Sequence, residues 1–275
     1  MKCIICDSRT EYYFTKIYTE QPYAKFMVEI GPVDYHKCIY CGFTFSKTHR
    51  VLEDNKWQQL NYQFHHYFED TPIENRLANP PPYAEQAFML SVLGKNAIID
   101  TADMLDYAGG HGTLSKILYK YFHIKLTVFE PYVIPSDVSP NTYIPVSELK
   151  KYNTVINSAM FEHVRTREDL DKLNNLVKEN GTLIIHTVVP EVIPKDPNWF
   201  YLTVPVHTAF HTNKSMELLM KQWGYISSIY SPKSKCWILL RTNDIERLKM
   251  KINEINRELQ YHWFFVKIGF MDYWK

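Results

Sequence analysis

The distribution of glycine constrains the fold of this chain more than any other feature of the sequence. Only nine of the 275 residues are glycine, yet Gly109, Gly110 and Gly112 lie within four positions. Apolar residues before the cluster predict a buried strand, and apolar residues at three- and four-residue steps after it predict a helix. A strand, a glycine turn and a helix allow a nucleotide cofactor to lie against bare backbone at a helix N-terminus.

Two acids accompany the glycines. Glu130 ends a second predicted strand, 18 residues beyond Gly112, where a carboxylate can accept both hydroxyls of a ribose. Asp106 lies at the end of the first strand, where it would repel a pyrophosphate and suit a cationic amino-acid group. The segment Gly110–Ser115 reads G-x-G-x-x-S and so lacks the third glycine of a dinucleotide loop. Spacing alone leaves the cofactor ambiguous, and these two features disfavour a dinucleotide.

Four of the five cysteines form two Cys-x-x-Cys pairs with 31 residues between them. The pairs are Cys3 with Cys6 and Cys38 with Cys41. Two such turns supply the four sulfurs of a tetrahedral zinc site, and Gly42 suits the turn around the metal. Disulfides and unrelated buried thiols are the alternatives, and a cytosolic location disfavours disulfides. Four thiolates close the coordination shell, so we expect a structural Zn²⁺. Cys236 is expected to be a core residue.

Four segments resemble motifs of the class I S-adenosylmethionine-dependent methyltransferases. They are Asp106–Thr113 (DYAGGHGT), Tyr152–Val164, Glu179–Ile185 and Pro205–Thr212. The resemblance covers about residues 80–241 and implies an α/β fold with a Rossmann-like, seven-stranded, mostly parallel sheet. Together with the cysteine module, the chain most resembles the branch that methylates nucleotide-linked or cell-surface sugars. It differs in carrying Asn157 where many relatives have an acid.

The resemblance implies a set of contacts with S-adenosylmethionine. The expected cofactor-binding residues are Asp106, Gly109, Gly110, Gly112, Glu130, Pro131 and Tyr132. Asp106 would face the amino-acid end directly or through water, and Glu130 would hold the ribose. Pro131 and Tyr132, or residues near Leu149, would flank the adenine. His111, inside the loop, would contact the cofactor or shape the turn.

The reaction requires placement of a nucleophile about 3–3.5 Å from the electrophilic methyl carbon. A sugar hydroxyl is a poor nucleophile, so a base is expected. His207 matches the late-segment histidine of the family and is expected to be the base or the substrate-orienting group. His163, beyond strand four, is the second choice, with Glu162 as its orienter or an alternative base. A hydrogen-bonded structural role is the alternative for each histidine.

Aromatic residues and histidines occupy six of the eight positions in Asn61–Phe68. The tyrosines expected to bind the acceptor are Tyr62, Tyr67, Tyr83 and Tyr201. Aromatic faces with hydroxyl edges suit sugars, but they suit core packing equally well, and we give that alternative more weight. If this segment folds over the cofactor, it would form a lid.

Composition excludes several classes of protein. Lys+Arg is 31 and Asp+Glu is 30, without basic clusters, which argues against a nucleic-acid partner. No apolar run reaches the ~18 residues of a membrane span, and the first residues lack a signal-peptide core. We expect a cytoplasmic enzyme that acts on a small, sugar-derived molecule, with O-methylation favoured. The alternatives are an RNA methyltransferase, a non-catalytic cofactor-binding or scaffold protein, and a nicotinamide-dependent oxidoreductase.

The chain is expected to divide into four segments. They are a zinc ribbon (1–50), a helical connector or lid (51–97), a Rossmann-like domain (98–241) and a C-terminal helix (242–275). Predicted strands lie near 103–108, 124–130, 152–158, 182–188, 225–231 and 235–241, with a weak one near 142–146. The apolar stripe of the last helix would pack on its own domain or, as the less favoured reading, form a homodimer contact.

Overall fold

The computed structural model describes residues 1–72, 80–132 and 142–271, which form two compact units. The first unit comprises Met1–Asn79, Phe161–Leu170 and Val188–Leu218, and the second comprises Pro80–Met160, Asp171–Thr187 and Leu219–Lys275. Two segments inside the range expected for the Rossmann-like domain therefore belong to the first unit. One reason is visible in its sheet, where a strand from the later segment pairs with a strand from the cysteine module.

The first unit is built on a small antiparallel sheet. Its strands are β1 (Thr10–Lys16), β2 (Val33–Cys38), β3 (Thr44–Ser46) and β8 (Ala209–Phe210), in the order β1-β2-β3-β8. Its helices are α1 (Lys47–Arg50) and α2 (Asp54–Asp70). Phe14, Tyr35 and Phe210 from the sheet share one core with Trp57 and Phe64 of α2. The helix forms because its apolar residues recur at helical spacing on the face that meets this core.

The second unit contains the larger sheet. Its strands are β4 (Met104–Tyr107), β5 (Thr127–Phe129), β6 (Tyr152–Ser158), β7 (Val177–His186), β9 (Ser227–Ser231), β10 (Cys236–Leu240) and β11 (Phe265–Ile268). The order is β11-β9-β10-β7-β6-β4-β5. The strands β7, β6, β4 and β5 are parallel, and β10, β9 and β11 continue the sheet in antiparallel pairs. The predicted seven-stranded Rossmann-like fold is confirmed.

Helices cover this sheet and fix its core. They are α3 (Tyr83–Lys95), α4 (Thr113–Phe122) and α7 (Ile245–Glu258). Leu90 and Leu114 pack with Ile156 and Ile184 of the central strands. Two further helices, α5 (Arg167–Asn175) and α6 (Asn213–Gln222), contribute residues to both units. Among the described residues, no helix combines the length and apolarity needed to span a bilayer.

The C-terminal segment differs from its expected form. The helix ends at Glu258, so the prediction of helix is wrong for residues 259–271, and residues 272–275 lie outside the part of the chain that the structure describes. Gln260, just beyond the helix, has a φ of 52°, which ends the helix, and β11 (Phe265–Ile268) then pairs with β9. This strand is the seventh of the sheet. The weak strand expected near 142–146 contributes only an isolated bridge, between Tyr143 and Val128.

The apolar stripe of α7 lies in the core of its own unit. Ile245, Leu248, Ile252 and Ile255 are all buried, and three of them join the cluster that contains the central strands. A side chain that already packs within its unit is not available to a second copy of the chain. The packing alternative therefore accounts for the stripe.

Candidate functional site

The loop between β4 and α4 brings bare backbone to the carboxyl end of the parallel strands. Gly110 and Gly112 have φ values of 53° and 64°. A Cβ on Gly109 would lie 2.7 Å from Asp106 Oδ2, and a Cβ on Gly112 would lie 2.7 Å from the hydroxyl oxygen of Tyr143. An added Cβ at either position would force the neighbouring side chain to shift, so both positions favour glycine. The carboxyl edge of an open α/β sheet is where such folds bind ligands.

Glu130 follows β5 and lies against this loop. Its Oε2 accepts a hydrogen bond from the Gly110 backbone N–H at 2.8 Å, and its Oε1 accepts one from the Tyr132 N–H at 2.6 Å. These bonds fix the carboxylate beside the glycines. A carboxylate offers about four acceptor positions, so the bonds are compatible with additional hydroxyl donors. Pro131, expected at the adenine, is exposed.

Asp106 is the buried acid of the loop. Its exposed fraction is 1%, and its Oδ1 accepts no hydrogen bond from the described residues. Burial, and secondly the negative charge of Glu130, raise the pKa of Asp106 to about 7. A buried acceptor in a negative environment fits a cationic ligand group. The glycine cradle, the held carboxylate of Glu130 and the unfilled oxygen of Asp106 together fit S-adenosylmethionine.

Sequence reasoning missed two residues, Tyr143, which contacts the loop, and Gln86, which contacts the end of β6. The Tyr143 hydroxyl donates to the Gly110 carbonyl at 2.9 Å. Gln86 of α3 is fully buried and accepts a hydrogen bond from the Ser158 hydroxyl at the end of β6. No local pattern marks either residue, because each contact joins positions more than thirty residues apart. Asn157, beside Ser158, donates to the Tyr107 carbonyl.

The four cysteines of the two pairs converge in the first unit. All four Sγ atoms lie within 4.8 Å of one another. Cys3 Sγ is 3.6 Å from Cys41 Sγ, and Cys6 Sγ is 3.5 Å from both Cys38 Sγ and Cys41 Sγ. These distances exclude disulfide bonds of about 2.05 Å. They are close to the roughly 3.8 Å between sulfurs of a tetrahedral site with Zn–S bonds near 2.3 Å, so the cluster fits a metal ion.

The two cysteine turns have the same backbone construction. The residues after the pairs, Asp7 and Gly42, have φ values of 58° and 74°. Each N–H donates to the carbonyl of the first cysteine of its pair, at 3.0 Å to Cys3 and 3.1 Å to Cys38. The positive φ expected at Gly42 is present. Cys236 is a buried core residue of the second unit.

Glu162, His163 and His207 form a second polar cluster, in the first unit. One ligand atom from each side chain lies within 4.8 Å of the others. The Thr208 N–H donates to the Glu162 carbonyl at 2.6 Å, and the Thr208 hydroxyl donates to the Val164 carbonyl at 2.9 Å. These bonds tie the late-segment histidine to the segment after β6. Sequence analysis predicted all three as site residues, although His163 and His207 are 44 positions apart in the chain.

Tyr201 connects two members of this cluster. His207 Nδ1 lies 2.6 Å from the Tyr201 carbonyl oxygen, and the Tyr201 hydroxyl donates to Glu162 Oε1 at 2.5 Å. A carbonyl can only accept, so His207 Nδ1 carries the hydrogen and Nε2 carries the lone pair. Burial lowers the pKa of His207 to about 4, and it lowers the pKa of His163 well below the usual value. The ring of His65 lies 5.3 Å from that of His163.

The remaining expected site residues lie at several places. Tyr67 is partly buried and packs against the hydrophobic core of the first unit, and its ring centroid lies 5.6 Å from that of Phe26. Tyr62 is half exposed and contacts His66. Tyr83 belongs to the second unit and packs against the hydrophobic core of that unit. The structure thus brings Tyr201, of the four expected acceptor tyrosines, into hydrogen-bond contact with the Glu162 cluster.

Comparison with known proteins identifies the family. The family model described as a methyltransferase domain (Methyltransf_23) matches residues 83–226, more than half of the chain. The chain therefore belongs to this methyltransferase family. It is a methyltransferase. The first 82 residues, including all four paired cysteines, lie outside the match.

Solved structures with low sequence identity resemble the chain. The plantazolicin methyltransferase BpumL in complex with SAH (S-adenosylhomocysteine) is 11% identical, with a TM-score of 0.43, over 68% of this chain and 98% of its own. DesVI from Streptomyces venezuelae is 12% identical, with a TM-score of 0.40, over 66% and 97%. Coclaurine N-methyltransferase is 14% identical, with a TM-score of 0.39, over 76% and 75%. No curated protein matches the sequence significantly.

Proposed function

We propose that this methyltransferase transfers a methyl group to a hydroxyl oxygen of a small, sugar-derived acceptor, such as a nucleotide-sugar or a surface-polysaccharide precursor. The observation that carries the proposal is the cluster of Glu162, His163 and His207, of which Glu162 and His207 are buried. A hydroxyl is a poor nucleophile and must be oriented and relieved of its proton. A cluster with an oriented imidazole and a carboxylate supplies groups of this kind.

The cofactor residues act through backbone and charge. Gly109, Gly110 and Gly112 allow the cofactor to lie on the loop, Asp106 faces the cationic amino-acid end, and Glu130 accepts the ribose hydroxyls. Pro131 and Tyr132 flank the adenine. When bound, S-adenosylmethionine would supply an electrophilic methyl carbon attached to a sulfonium, with S-adenosylhomocysteine as the leaving group.

The first unit provides acceptor activation in this proposal. His207 is the base or the substrate-orienting group, because Tyr201 holds its Nδ1 and leaves the Nε2 lone pair available. His163 and Glu162 orient the acceptor with it. Tyr62, Tyr67, Tyr83 and Tyr201 are proposed acceptor contacts, of which Tyr201 has support from its contact with Glu162.

The proposal also covers the metal ion at the four cysteines and the cellular compartment of the protein. We assign structural Zn²⁺ to the four cysteines on the donor set and the sulfur separations. Thiols that are close but unbridged are typical of a reducing compartment, which favours the cytoplasm.

A homodimer through the C-terminal helix would have to use the exposed side of that helix, for example Met250. We propose no nucleic-acid partner, since the charges nearly balance.

Labelled S-adenosylmethionine and a panel of acceptors test the proposal. The panel holds nucleotide-sugars, surface-polysaccharide intermediates, small amines and an RNA mixture at low salt. We expect label in a sugar derivative, in a linkage that resists the conditions that remove methyl esters. Transfer only to RNA or amines would contradict the acceptor class. Cofactor binding without transfer to any acceptor would favour a non-catalytic role.

A further inference from the structure

Glu162, His163 and His207 also have the composition of a metal site distinct from the four cysteines. The ligand atoms lie within 4.8 Å of one another. Ligand atoms bound to one cation at about 2.1 Å are roughly 3–4 Å apart in tetrahedral or octahedral geometry. Small side-chain rotations would therefore bring the three atoms onto one ion. Glu162 and His207 are both buried, so solvent does not fill their surroundings.

The hydrogen bonds around the cluster match those that orient metal ligands. Metal-binding histidines almost always donate their second ring N–H to a carbonyl or carboxylate, and ligating carboxylates are themselves hydrogen-bonded. His207 donates Nδ1–H to the Tyr201 carbonyl, and Glu162 accepts from the Tyr201 hydroxyl. Tyr201 thus orients two of the three side chains, one through its backbone and one through its phenol.

His163 provides an independent observation. Its Nδ1 is buried and makes no hydrogen bond to any of the residues that the structure describes. The centroid of its ring lies 5.1 Å from that of His207 and 5.3 Å from that of His65. Buried ring nitrogens are normally paired, because an unpaired polar atom loses its solvation without compensation. A cation would give this nitrogen a partner.

We propose that Glu162, His163 and His207 bind one first-row divalent cation of the Zn²⁺, Co²⁺ or Fe²⁺ type, and that the acceptor hydroxyl binds to this cation. Two imidazoles and one carboxylate favour such ions over Mg²⁺ and Ca²⁺, which prefer oxygen ligands. Three protein ligands leave open positions, unlike the closed set of four cysteines. The inference rests on the proposed function. Of the two roles proposed for His207, base and substrate-orienting group, it selects the second.

Metal stoichiometry tests the inference. The untagged full-length protein is equilibrated with excess Co²⁺, desalted and measured by elemental analysis. We expect about two ions per chain for the wild type, because the cysteines hold one, and about one for His163→Ala and Glu162→Gln. The exposed histidine variant His262→Gln is the matched control and should keep two. A wild type with one ion, unchanged by these substitutions, overturns the inference.

A spectroscopic titration of the wild type covers the case in which a variant fails to fold. Co²⁺ bound by the cysteines gives thiolate-to-metal charge transfer, and Co²⁺ bound by imidazole and carboxylate gives d–d bands without it. We expect a second equivalent that adds d–d absorption only. Absorption that saturates after the thiolate site overturns the inference.

SAH calorimetry on the same samples separates this inference from the proposed function. SAH binding and methyl transfer to a sugar derivative in a protein with one ion would overturn the metal site and leave the function standing. Absence of both SAH binding and transfer would contradict the function, whatever the metal content.

Discussion

At the residue scale, the role proposed for Asp106 predicts that cofactor affinity depends on pH. Burial, and then the charge of Glu130, raise the pKa of this carboxyl to about 7. A cationic ligand group binds the ionised form, so affinity should rise as pH increases through 7 and level off above it. If only the ionised form binds, the Kd for SAH falls about tenfold between pH 6 and pH 8. Calorimetry at several pH values measures this change.

The control for this pH dependence is Asp106→Asn, which should bind SAH weakly and with a flat pH profile. The folding stability of the protein without cofactor depends on pH in the opposite direction to cofactor affinity. A folded-state pKa above the unfolded value of about 3.9 means that the folded protein without cofactor loses stability as pH rises from 4 to 7. Asp106→Asn should therefore raise the melting temperature at pH 8 more than at pH 5. Cofactor affinity that falls with rising pH would contradict this assignment.

His207 should affect turnover and leave cofactor binding unchanged. His207→Ala or His207→Asn removes the Nε2 group to which the proposal assigns the acceptor, so we expect a loss of about 10²-fold or more in the rate of methyl transfer. The Kd for SAH should stay within error of the wild type. His262→Gln, at an exposed site, should keep both values. Unchanged turnover in the His207 variants would reject the role.

Motifs predicted much of the site at this scale, and long-range contacts account for what they missed. Asp106 and Glu130 follow from their positions at strand ends, and the Glu130–Gly110 hydrogen bond places the acid at the loop. The contacts of Tyr143 with Gly110 and of Tyr201 with Glu162 join distant segments. Those contacts depend on tertiary packing, which no local pattern encodes.

At the scale of elements, two parallel strands end in alanines with positive φ. Ala108 follows β4 with φ of 60°, and Ala159 follows β6 with φ of 64°. Non-glycine residues adopt this region at a cost of order 1 kcal/mol, and such strain clusters at ligand sites. Both strand ends therefore depart from relaxed backbone at the edge of the sheet where the glycine loop lies.

Ala159→Gly should stabilise the protein, because glycine adopts this conformation without strain. We expect a gain of up to about 1 kcal/mol in the free energy of unfolding, measured by urea denaturation. The control is Ala87→Gly, at a buried position inside α3, which should lose about 1 kcal/mol or more. Destabilisation by Ala159→Gly comparable to that of the control would contradict the strain argument.

Element prediction succeeded for a strand set between turn signals, and it failed where a helical pattern continued past the end of the helix or where an element was very short. The predicted strand 152–158 coincides with β6, since β-branched and apolar residues fill it between turn signals. In the C-terminal segment, apolar spacing suited a helix as far as Val266, but Gln260 ends the helix and β11 completes the sheet. The two-residue strand β8 is too short to carry a periodic signal.

At the scale of the whole molecule, the discontinuous units could not be predicted. The connections after β6 and β7 supply Phe161–Leu170 and Val188–Leu218 to the first unit. Sequence segmentation assumes that neighbours along the chain share a unit, so it assigned both segments to the Rossmann-like domain. The pairing of β8 with β3 shows the actual association.

Metal loss should destabilise the first unit. Cys38→Ser removes one of four thiolates, and we expect loss of about one bound ion per chain and a lower melting temperature, because structural zinc contributes directly to folding. Cys236→Ala is the matched control, since this cysteine lies in the other unit, and it should keep its metal content. Elemental analysis and thermal melts measure both. A Cys38→Ser protein with unchanged metal content would contradict the zinc assignment.

Calorimetric titration of the full-length protein with SAH tests the central claim most directly. If Asp106, the glycine loop and Glu130 form a methyl-donor site, SAH binds with one-to-one stoichiometry, NAD does not bind, and Glu130→Ala weakens SAH binding at least about tenfold through the lost ribose contact. No heat with SAH, tighter binding of NAD, or full SAH affinity in Glu130→Ala would contradict that assignment.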